Sequence, residues 1–322
     1  MEQRKSMGSS MMMLLTAFIF GIAFVAQSDG MNYVGGFTFV GCRYLLAGAV
    51  LIPVIAIFRR KDRNRLRAMS SQDYVAYNRN SLVGGICCGF CLFVGTSLQQ
   101  FGVAYTTVAN AGFITSLYIV MVPLAGLIFL HKKVEKKIWI GVALALAGMY
   151  LLCIKEGFTV SKGDLLVLLC AAGFTLHILT IDYFAPKADG VLMSCIQFFT
   201  TGLLGCMAMF ILEQPSWNGI FGAWISIVFA GVVSGGIGYT MQIVAQKNLD
   251  SAIASLIQSL ESVFSLLAGW VLLGQKLSAK ELSGCGLVLG AIILVQIPWG
   301  NQKRQQYPVT VAKKGELWDN GV

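Results

Sequence analysis

Charged residues are scarce in this sequence of 322 residues. They make up 12 % of the chain, about half the share found in soluble domains, and the mean hydropathy is +0.72. Long polar stretches are also missing, apart from residues 58–79 and the C-terminal tail. These absences leave no room for a soluble catalytic domain, and so many apolar stretches cannot all be buried in a water-soluble core. We therefore expect a polytopic membrane protein.

Metal-binding and catalytic patterns are sparse as well. The chain holds two histidines, and its nine cysteines lie in or beside apolar runs, where thiols pack as small apolar groups. Cys87, Cys88 and Cys91 have the spacing of half a zinc site, but no second pair of ligands accompanies them. Nothing assembles into a nucleophile triad or a phosphate-binding loop. We expect no enzyme activity, no cofactor and no metal.

Ten apolar runs are long enough to span a bilayer, since a helix needs roughly 20 residues to cross about 30 Å of hydrocarbon. They lie near residues 11–28, 35–57, 80–98, 107–130, 138–154, 164–182, 190–212, 221–243, 251–273 and 281–298. The first follows Arg4 and Lys5 as a signal peptide would, but it is long and has no small-x-small cleavage site. The sequence thus predicts an all-α protein with ten transmembrane helices.

The net charge of +9 sits in blocks beside these runs. The blocks at 59–67 and 131–137 fall on alternate connections, as the positive-inside rule requires. Both termini are then predicted to be cytoplasmic. The expected partners are a small-molecule substrate and the lipid bilayer, not nucleic acid; the 59–67 block fits anionic lipid better than a phosphate ligand. An oligomer is compatible with the sequence.

An internal repeat relates residues 104–153 to residues 247–296 at an offset of 143. Matching pairs include Ser116 with Ser259 and Gly141 with Gly284. Five predicted spans separate equivalent points, so the copies cross the membrane in opposite directions, as in many alternating-access transporters. We predict four parts: a first repeat at 1–154, a connecting loop at 155–163, a second, inverted repeat at 164–299 and a polar cytoplasmic tail at 300–322.

Polar side chains in mid-bilayer are costly, and each is a candidate for function or for helix–helix hydrogen bonding. Glu261 lies at the midpoint of the ninth span, where a carboxylate must be paired or protonated. The offset of 143 pairs it with Tyr118, at the midpoint of the fourth. Two halves related by an axis in the membrane plane would hold both at equal depth, where such transporters bind substrate.

Arg43 is the one arginine well inside a predicted span. It is free to bind an anionic group, to pair with Glu261 or to snorkel to the outer surface. Amide side chains recur along the spans and would suit a polar or zwitterionic ligand, although each alone is more typical of helix packing. His177 has two interpretations, proton shuttle or structural residue. The predicted substrate-path residues are Glu261, Tyr118, Arg43, Gln27, Gln100, Gln242 and Gln258.

Several strings resemble hallmarks of the drug/metabolite transporter superfamily, specifically its ten-span permeases with duplicated EamA domains. They are Phe20-Gly21-Ile22-Ala23-Phe24-Val25-Ala26-Gln27, Arg43-Tyr44, residues 112–118 followed by Val122-Pro123, residues 259–264 and residues 272–277. The resemblance covers all ten spans. It implies two inverted five-helix repeats around a central cavity, and transport of amino acids, other metabolites or drugs without ATP hydrolysis.

The sequence departs from this family pattern at two positions. Ser262 stands where a proline is common, which removes an expected kink, and Gln275 replaces an acidic residue. We expect a secondary permease or exporter of a small polar metabolite in a bacterial inner (plasma) membrane, working by alternating access. Proton coupling, uncoupled facilitated diffusion and drug export of the same fold stay open. A non-transporting lipid-handling or assembly protein is a further alternative.

Overall fold

The computed structural model describes residues 2–61, 64, 66, 68–105, 108–129, 131, 134–153, 161–273 and 278–297. Regular structure in these ranges is helical, and no strand occurs in them. The predicted tail at 300–322, most of the connecting loop at 155–163, and Gln275 lie outside the described residues.

Fourteen α-helices follow one another in the described part of the chain. They are α1 (Glu2–Gly30), α2 (Gly36–Lys61), α3 (Ser71–Tyr105), α4 (Val108–Thr115), α5 (Tyr118–Phe129), α6 (Lys136–Cys153), α7 (Lys162–Phe184), α8 (Gly190–Leu212), α9 (Trp217–Gly222), α10 (Trp224–Val228), α11 (Thr240–Gln246), α12 (Ser251–Gln258), α13 (Leu260–Leu273) and α14 (Ala279–Gln296). A π-helix, Phe229–Tyr239, joins α10 to α11.

Nine candidate membrane spans occur within the described ranges. They are Met7–Gly30, Gly36–Arg60, Ser71–Tyr105, Ala111–Phe129, Lys162–Lys187, Gly190–Leu212, Trp224–Gln246, Ser251–Ala268 and Ala279–Gln296. Each corresponds to a run predicted from the sequence. Helix α6 covers the predicted fifth span, 138–154, but is not among the nine, so the tenth span and the cytoplasmic termini remain predictions.

The helices of the two halves interlock in pairs that exchange under a two-fold relation. Helix α2 packs on α8, and α6 packs on α14. Helix α3 packs on α7, and the equivalent contact in the other half is that of the π-helix and α11 with α1. The segments α4 and α5 contact α7, while α12 and α13 contact α1. Exchanging the halves turns each contact into its counterpart, as inverted repeats require.

Glycines bring the paired helices into close contact, as is usual between membrane helices. A Cβ on Gly205 of α8 would lie 2.8 Å from the backbone nitrogen of Gly41 in α2. Likewise, a Cβ on Gly148 of α6 would lie 2.7 Å from the carbonyl oxygen of Gly284 in α14. Larger residues at these positions would therefore force the halves apart.

Charged side chains tie α2 to the ends of α8. At the C-terminal end of α8, the Glu213 carboxylate accepts hydrogen bonds from the backbone nitrogens of Phe37 and Thr38, both at 2.8 Å, and so caps the N-terminus of α2. At the opposite end, Arg59 Nε lies 3.6 Å from Asp189 Oδ2. Asp189 itself caps α8, because its side chain accepts from two backbone nitrogens of the first turn.

The fourth and ninth spans are both interrupted at their midpoints, and at equivalent positions. Helix α4 ends at Thr115 before α5 begins at Tyr118, and α12 ends at Gln258 before α13 begins at Leu260. Ser259 Oγ donates to the carbonyl oxygen of Leu256 at 2.7 Å, a local bond that competes with helical pairing. Ser262, where the absence of proline is expected to remove a kink, lies within α13, and the break falls three residues earlier.

Candidate functional site

A hydrogen bond between the two halves marks the centre of the bundle. The Tyr118 hydroxyl donates to Glu261 Oε1 at 2.9 Å, and the two residues are 1 % and 5 % exposed. Each stands directly after the break in its span, at the start of a new helical segment. Such a contact is what equal depth of the two equivalent residues would give, and their depth in the membrane stays a prediction.

A second polar contact lies beside this bond. The hydroxyls of Ser116 and Ser262 share a hydrogen bond of 2.7 Å, and Ser262 Oγ also lies 3.3 Å from the carbonyl oxygen of Gly112. The broken spans are therefore joined across the two-fold relation by side chains of both halves. These contacts hold Tyr118 and Glu261 in place.

A buried cavity surrounds Tyr118 and Glu261, and residues of α1, α2, α3, α5, α7, the π-helix, α12 and α13 line it. Its lining residues are Phe20, Ala23, Phe24, Gln27, Arg43, Gln99, Tyr118, Phe174, Ser234, Tyr239, Gln258 and Glu261. The volume open to the centres of water molecules in this cavity is about 30 Å³. Pockets that bind ligands have volumes of roughly 300–1,000 Å³. In this conformation the cavity is too small for a ligand.

Five of the seven predicted path residues line this cavity: Gln27, Arg43, Tyr118, Gln258 and Glu261. The other two are buried elsewhere. Gln100 donates from Nε2 to the carbonyl oxygen of Gln27 at 3.2 Å, which is a helix–helix bond. Gln242 is 0 % exposed but does not border the cavity.

Arg43 lies inside the bundle, since it is 3 % exposed and borders the cavity. Its guanidinium carbon stands 4.7 Å from the ring centroid of Tyr44 and 5.3 Å from that of Phe39. Aromatic faces attract a guanidinium and partly replace its water. The Arg43 side chain therefore does not snorkel to the surface in this structure.

Arg43 and Glu261 share the cavity but do not pair. Among the described residues, the ion pairs involve other side chains, and Arg43 Nε has no hydrogen-bond partner. Glu261 accepts from the Tyr118 hydroxyl and lies in the first turn of α13, where the helix dipole favours negative charge. One cavity thus contains a guanidinium and a carboxyl group that form no ion pair with each other.

Amides add hydrogen-bonding capacity to the cavity. Gln99, which the predicted set of seven did not include, lies in it and has its Nε2 3.5 Å from Thr115 Oγ1. Gln258 Oε1 is buried without a partner. Because an amide both donates and accepts, such groups can contact either end of a zwitterion.

Aromatic residues make up much of the remaining wall, and no sequence argument selected them. Phe20 and Tyr239 contact each other with ring centroids 4.5 Å apart, while Phe24 and Phe174 also border the cavity. The sequence offered a reason to select only Phe20 and Phe24, because these two stand in the string 20–27 that carries the family resemblance. Aromatic side chains are so common in membrane helices that their number alone selects none of them.

His177 does not border the cavity. Its Nε2 lies 3.1 Å from Gln197 Oε1, and its ring packs edge-on against Tyr239 with centroids 5.8 Å apart. These contacts favour the structural interpretation of this histidine. Within the described residues, no group of three or more His, Cys, Asp or Glu side chains is placed to hold a metal ion.

Comparison with known proteins supports the same fold. The family model described as "EamA-like transporter family" matches residues 7–154 and 161–297. An "Uncharacterized transporter" of Archaeoglobus fulgidus is 27 % identical over 299 residues, covering 92 % of this chain and 88 % of the relative. The "Uncharacterized transporter YetK" of Bacillus subtilis is 20 % identical over 320 residues, covering 96 % of this chain and 92 % of the relative.

A protein of known crystal structure shares the architecture. It superposes with a TM-score of 0.73 at 17 % sequence identity, over 89 % of this chain and 97 % of the other. At this level of identity the likeness concerns the fold alone.

Proposed function

The chain belongs to the EamA-like transporter family, and on that premise we propose that it carries a small zwitterionic metabolite, such as an amino acid, by alternating access. It is a multi-pass membrane transporter of the plasma membrane, and the drug/metabolite transporter superfamily fits the whole chain. The substrate class and the mechanism are the proposal.

The unpaired Arg43 and Glu261 are the observation that carries this proposal. A charge buried without an ionic partner is expensive, and here a guanidinium and a carboxyl group border one small cavity without forming an ion pair in the described part of the chain. A zwitterion supplies both missing partners, because its carboxylate suits the guanidinium fork and its ammonium suits the carboxylate. An anion or a cation alone would satisfy one of them.

The size of the cavity supports alternating access. About 30 Å³ for the centres of water molecules holds about two or three waters, given roughly 10–15 Å³ each, and no metabolite. Substrate therefore requires movement of the halves. The breaks in the two spans supply places for that movement, because only one or two residues separate α4 from α5 and α12 from α13.

Proton coupling, where it occurs, would run through Glu261. Among the described residues it is the only acidic side chain that lines the cavity, and it already accepts a hydrogen bond from the Tyr118 hydroxyl. An ammonium and a proton would compete for this carboxylate, which is the exchange that a coupled carrier needs. Uncoupled facilitation predicts instead a flux that ignores a pH gradient.

The test is uptake into proteoliposomes that contain the purified protein. The probes are isotope-labelled amino acids, with matched amines that lack the carboxylate and matched acids that lack the amine. We expect zwitterions to be carried, and both single-charge analogues to be carried at least tenfold more slowly. Transport of lipophilic cations alone would overturn the proposal in favour of drug export.

Two variants assign the roles. Glu261→Gln keeps the size and the acceptor for Tyr118 but removes the charge, so it should lose zwitterion uptake and any response to a pH gradient. Arg43→Met should lose zwitterion uptake while its burial is retained. Glu281→Gln is the matched control, because Glu281 is also a buried glutamate, 7 % exposed, but caps α14 outside the cavity. Parental, equally pH-dependent flux in Glu261→Gln would exclude a coupling role.

A further inference from the structure

Two buried glutamines follow the cavity residue Tyr239 along the same helix. Gln242 and Gln246 of α11 are 0 % and 2 % exposed, and none of their four amide atoms has a hydrogen-bond partner in the described part of the chain. At 3.6 residues per turn, positions 239, 242 and 246 fall on one face of a helix. We call Gln242 and Gln246 the inner amide pair.

The inner amide pair lies between the cavity and the membrane face at which α1 begins. Gln246 ends α11, and just beyond it Asn248 Nδ2 donates to Ser9 Oγ of α1 at 3.3 Å. From Tyr239 the two amides stand about 4.5 and 10.5 Å further along the helix, at 1.5 Å per residue. This face of the membrane is the one predicted to be cytoplasmic.

The energetic cost of these amides argues against a packing role. A buried polar group without a partner costs about 1–3 kcal/mol, whereas an apolar group of the same shape avoids that cost. Gln100 and Gln197 each leave one buried amide atom unpaired but also make one bond, to the Gln27 carbonyl and to His177 respectively. A pair of residues that contributes no bond within the protein has a partner elsewhere in the transport cycle.

We propose that the inner amide pair is a second binding site for the transported solute, between the midplane cavity and the N-terminal face. Two amides one helical turn apart offer donors and acceptors together, which matches the carboxylate and ammonium of a small zwitterion. The preceding π-helix, Phe229–Tyr239, is where α11 can be displaced, since wide helical segments are frequent at functional sites. This inference rests on the proposed function of the cavity.

Isosteric removal of the amides separates binding from packing. Gln242→Met and Gln246→Met keep the volume but delete the unpaired atoms, so the apparent melting temperature in detergent should stay equal or rise. Uptake of the labelled amino acids in proteoliposomes should fall at least tenfold. Gln100→Met is the control, since it removes a bond that is made and should lower the melting temperature. Parental uptake in both inner variants, or a lowered melting temperature in both, would overturn the site.

Thiol labelling tests the same site without a substrate. In a protein whose nine cysteines are replaced by alanine, Gln242→Cys should react with a membrane-impermeant maleimide from the N-terminal face only, in vesicles of defined orientation. Failure to react from either face would overturn the inference. Reaction from that face, without uptake of any labelled amino acid, would support a path lined by the inner amide pair but reject the proposed zwitterionic substrate. Failure of the second site and failure of the proposed substrate therefore give different results.

Discussion

Replacing Tyr118 by phenylalanine should destabilise the bundle by an amount that reports the charge on Glu261. The substitution keeps the ring and removes one hydroxyl, which donates to Glu261 Oε1 at 2.9 Å. Both residues are nearly fully buried, 1 % and 5 % exposed, so bulk water does not reach the position of the lost donor in this conformation. The cost therefore falls on the carboxyl group that is left behind.

The magnitude depends on whether the acceptor is ionised. Hydrogen bonds between membrane helices average about 0.6 kcal/mol, with a maximum near 1.7, whereas bonds to charged groups are worth about 1.5–3 kcal/mol. Tyr118→Phe should thus cost about 0.6 kcal/mol if Glu261 is protonated and about 1.5–3 kcal/mol if it is a carboxylate. In a Glu261→Gln background the acceptor is always neutral, and the cost should be about 0.6 kcal/mol.

Reversible unfolding by SDS in mixed micelles gives these free energies, and a thiol-reactive fluorescent maleimide follows the thermal transition. Cys88 and Cys170 are 0 % exposed and will react only when the helices separate. Tyr105→Phe is the control, since Tyr105 is 66 % exposed. A cost for Tyr118→Phe equal to that of the control would refute the bond, and a larger cost in the Glu261→Gln background than in the parent would refute the charge argument.

Three further substitutions test the fold by the same unfolding measurements. Glu213→Ala removes the cap of α2 and should lower the free energy of unfolding by about 1–2 kcal/mol. The control is Gln214→Ala, at the exposed neighbouring residue, which should leave this free energy unchanged. Equal effects of the two substitutions would contradict the cap. Gly148→Val should lower the melting temperature strongly, because its Cβ would lie 2.7 Å from a carbonyl oxygen of α14. Gly286→Ala is the control and should not lower it, since nothing lies within 4 Å of that Cβ position. A valine at position 148 that leaves the melting temperature unchanged would exclude the close contact. Arg59→Ala should cost at most about 1 kcal/mol, because its ion pair is 3.6 Å long and 35 % exposed on the arginine side; a loss of several kcal/mol would show that this end of α8 depends on it.

The helical architecture was predictable because the bilayer constrains it so strongly. Hydrocarbon forces every spanning segment into a helix and fixes its length, so hydropathy locates the spans. The offset of 143 then predicted that Tyr118 and Glu261 are equivalent, and they turned out to be bonded to each other. Equivalent residues meet in this way only near the two-fold axis, which a weak repeat cannot locate.

The interruption of the fourth and ninth spans was not predictable from the same arguments. No proline stands at either break, and both Ser116 and Ser259 lie inside runs that are apolar enough to be predicted as single spans. The repeat did pair these two serines, but a serine on a membrane helix usually bonds to its own preceding turn without ending the helix. Packing between the halves selects the broken form.

The site was predicted in part. Gln27 and Gln258 were chosen for the same reason as Gln100, yet the first two border the cavity and Gln100 bonds another helix. Composition and spacing cannot tell these cases apart, because one helical step of 100° separates a side chain that faces a cavity from one that faces a neighbouring helix.

By itself the sequence determined that this is a membrane protein of inverted helical repeats with polar residues at the midplane, since solvent, length and periodicity act locally along the chain. Only the tertiary structure decided that Arg43 and Glu261 share one closed cavity without pairing, and that Gln242 and Gln246 are buried without partners. The reason is physical: whether a polar group is satisfied depends on side chains from other helices, and their approach is set by packing across the two-fold axis rather than by any local pattern.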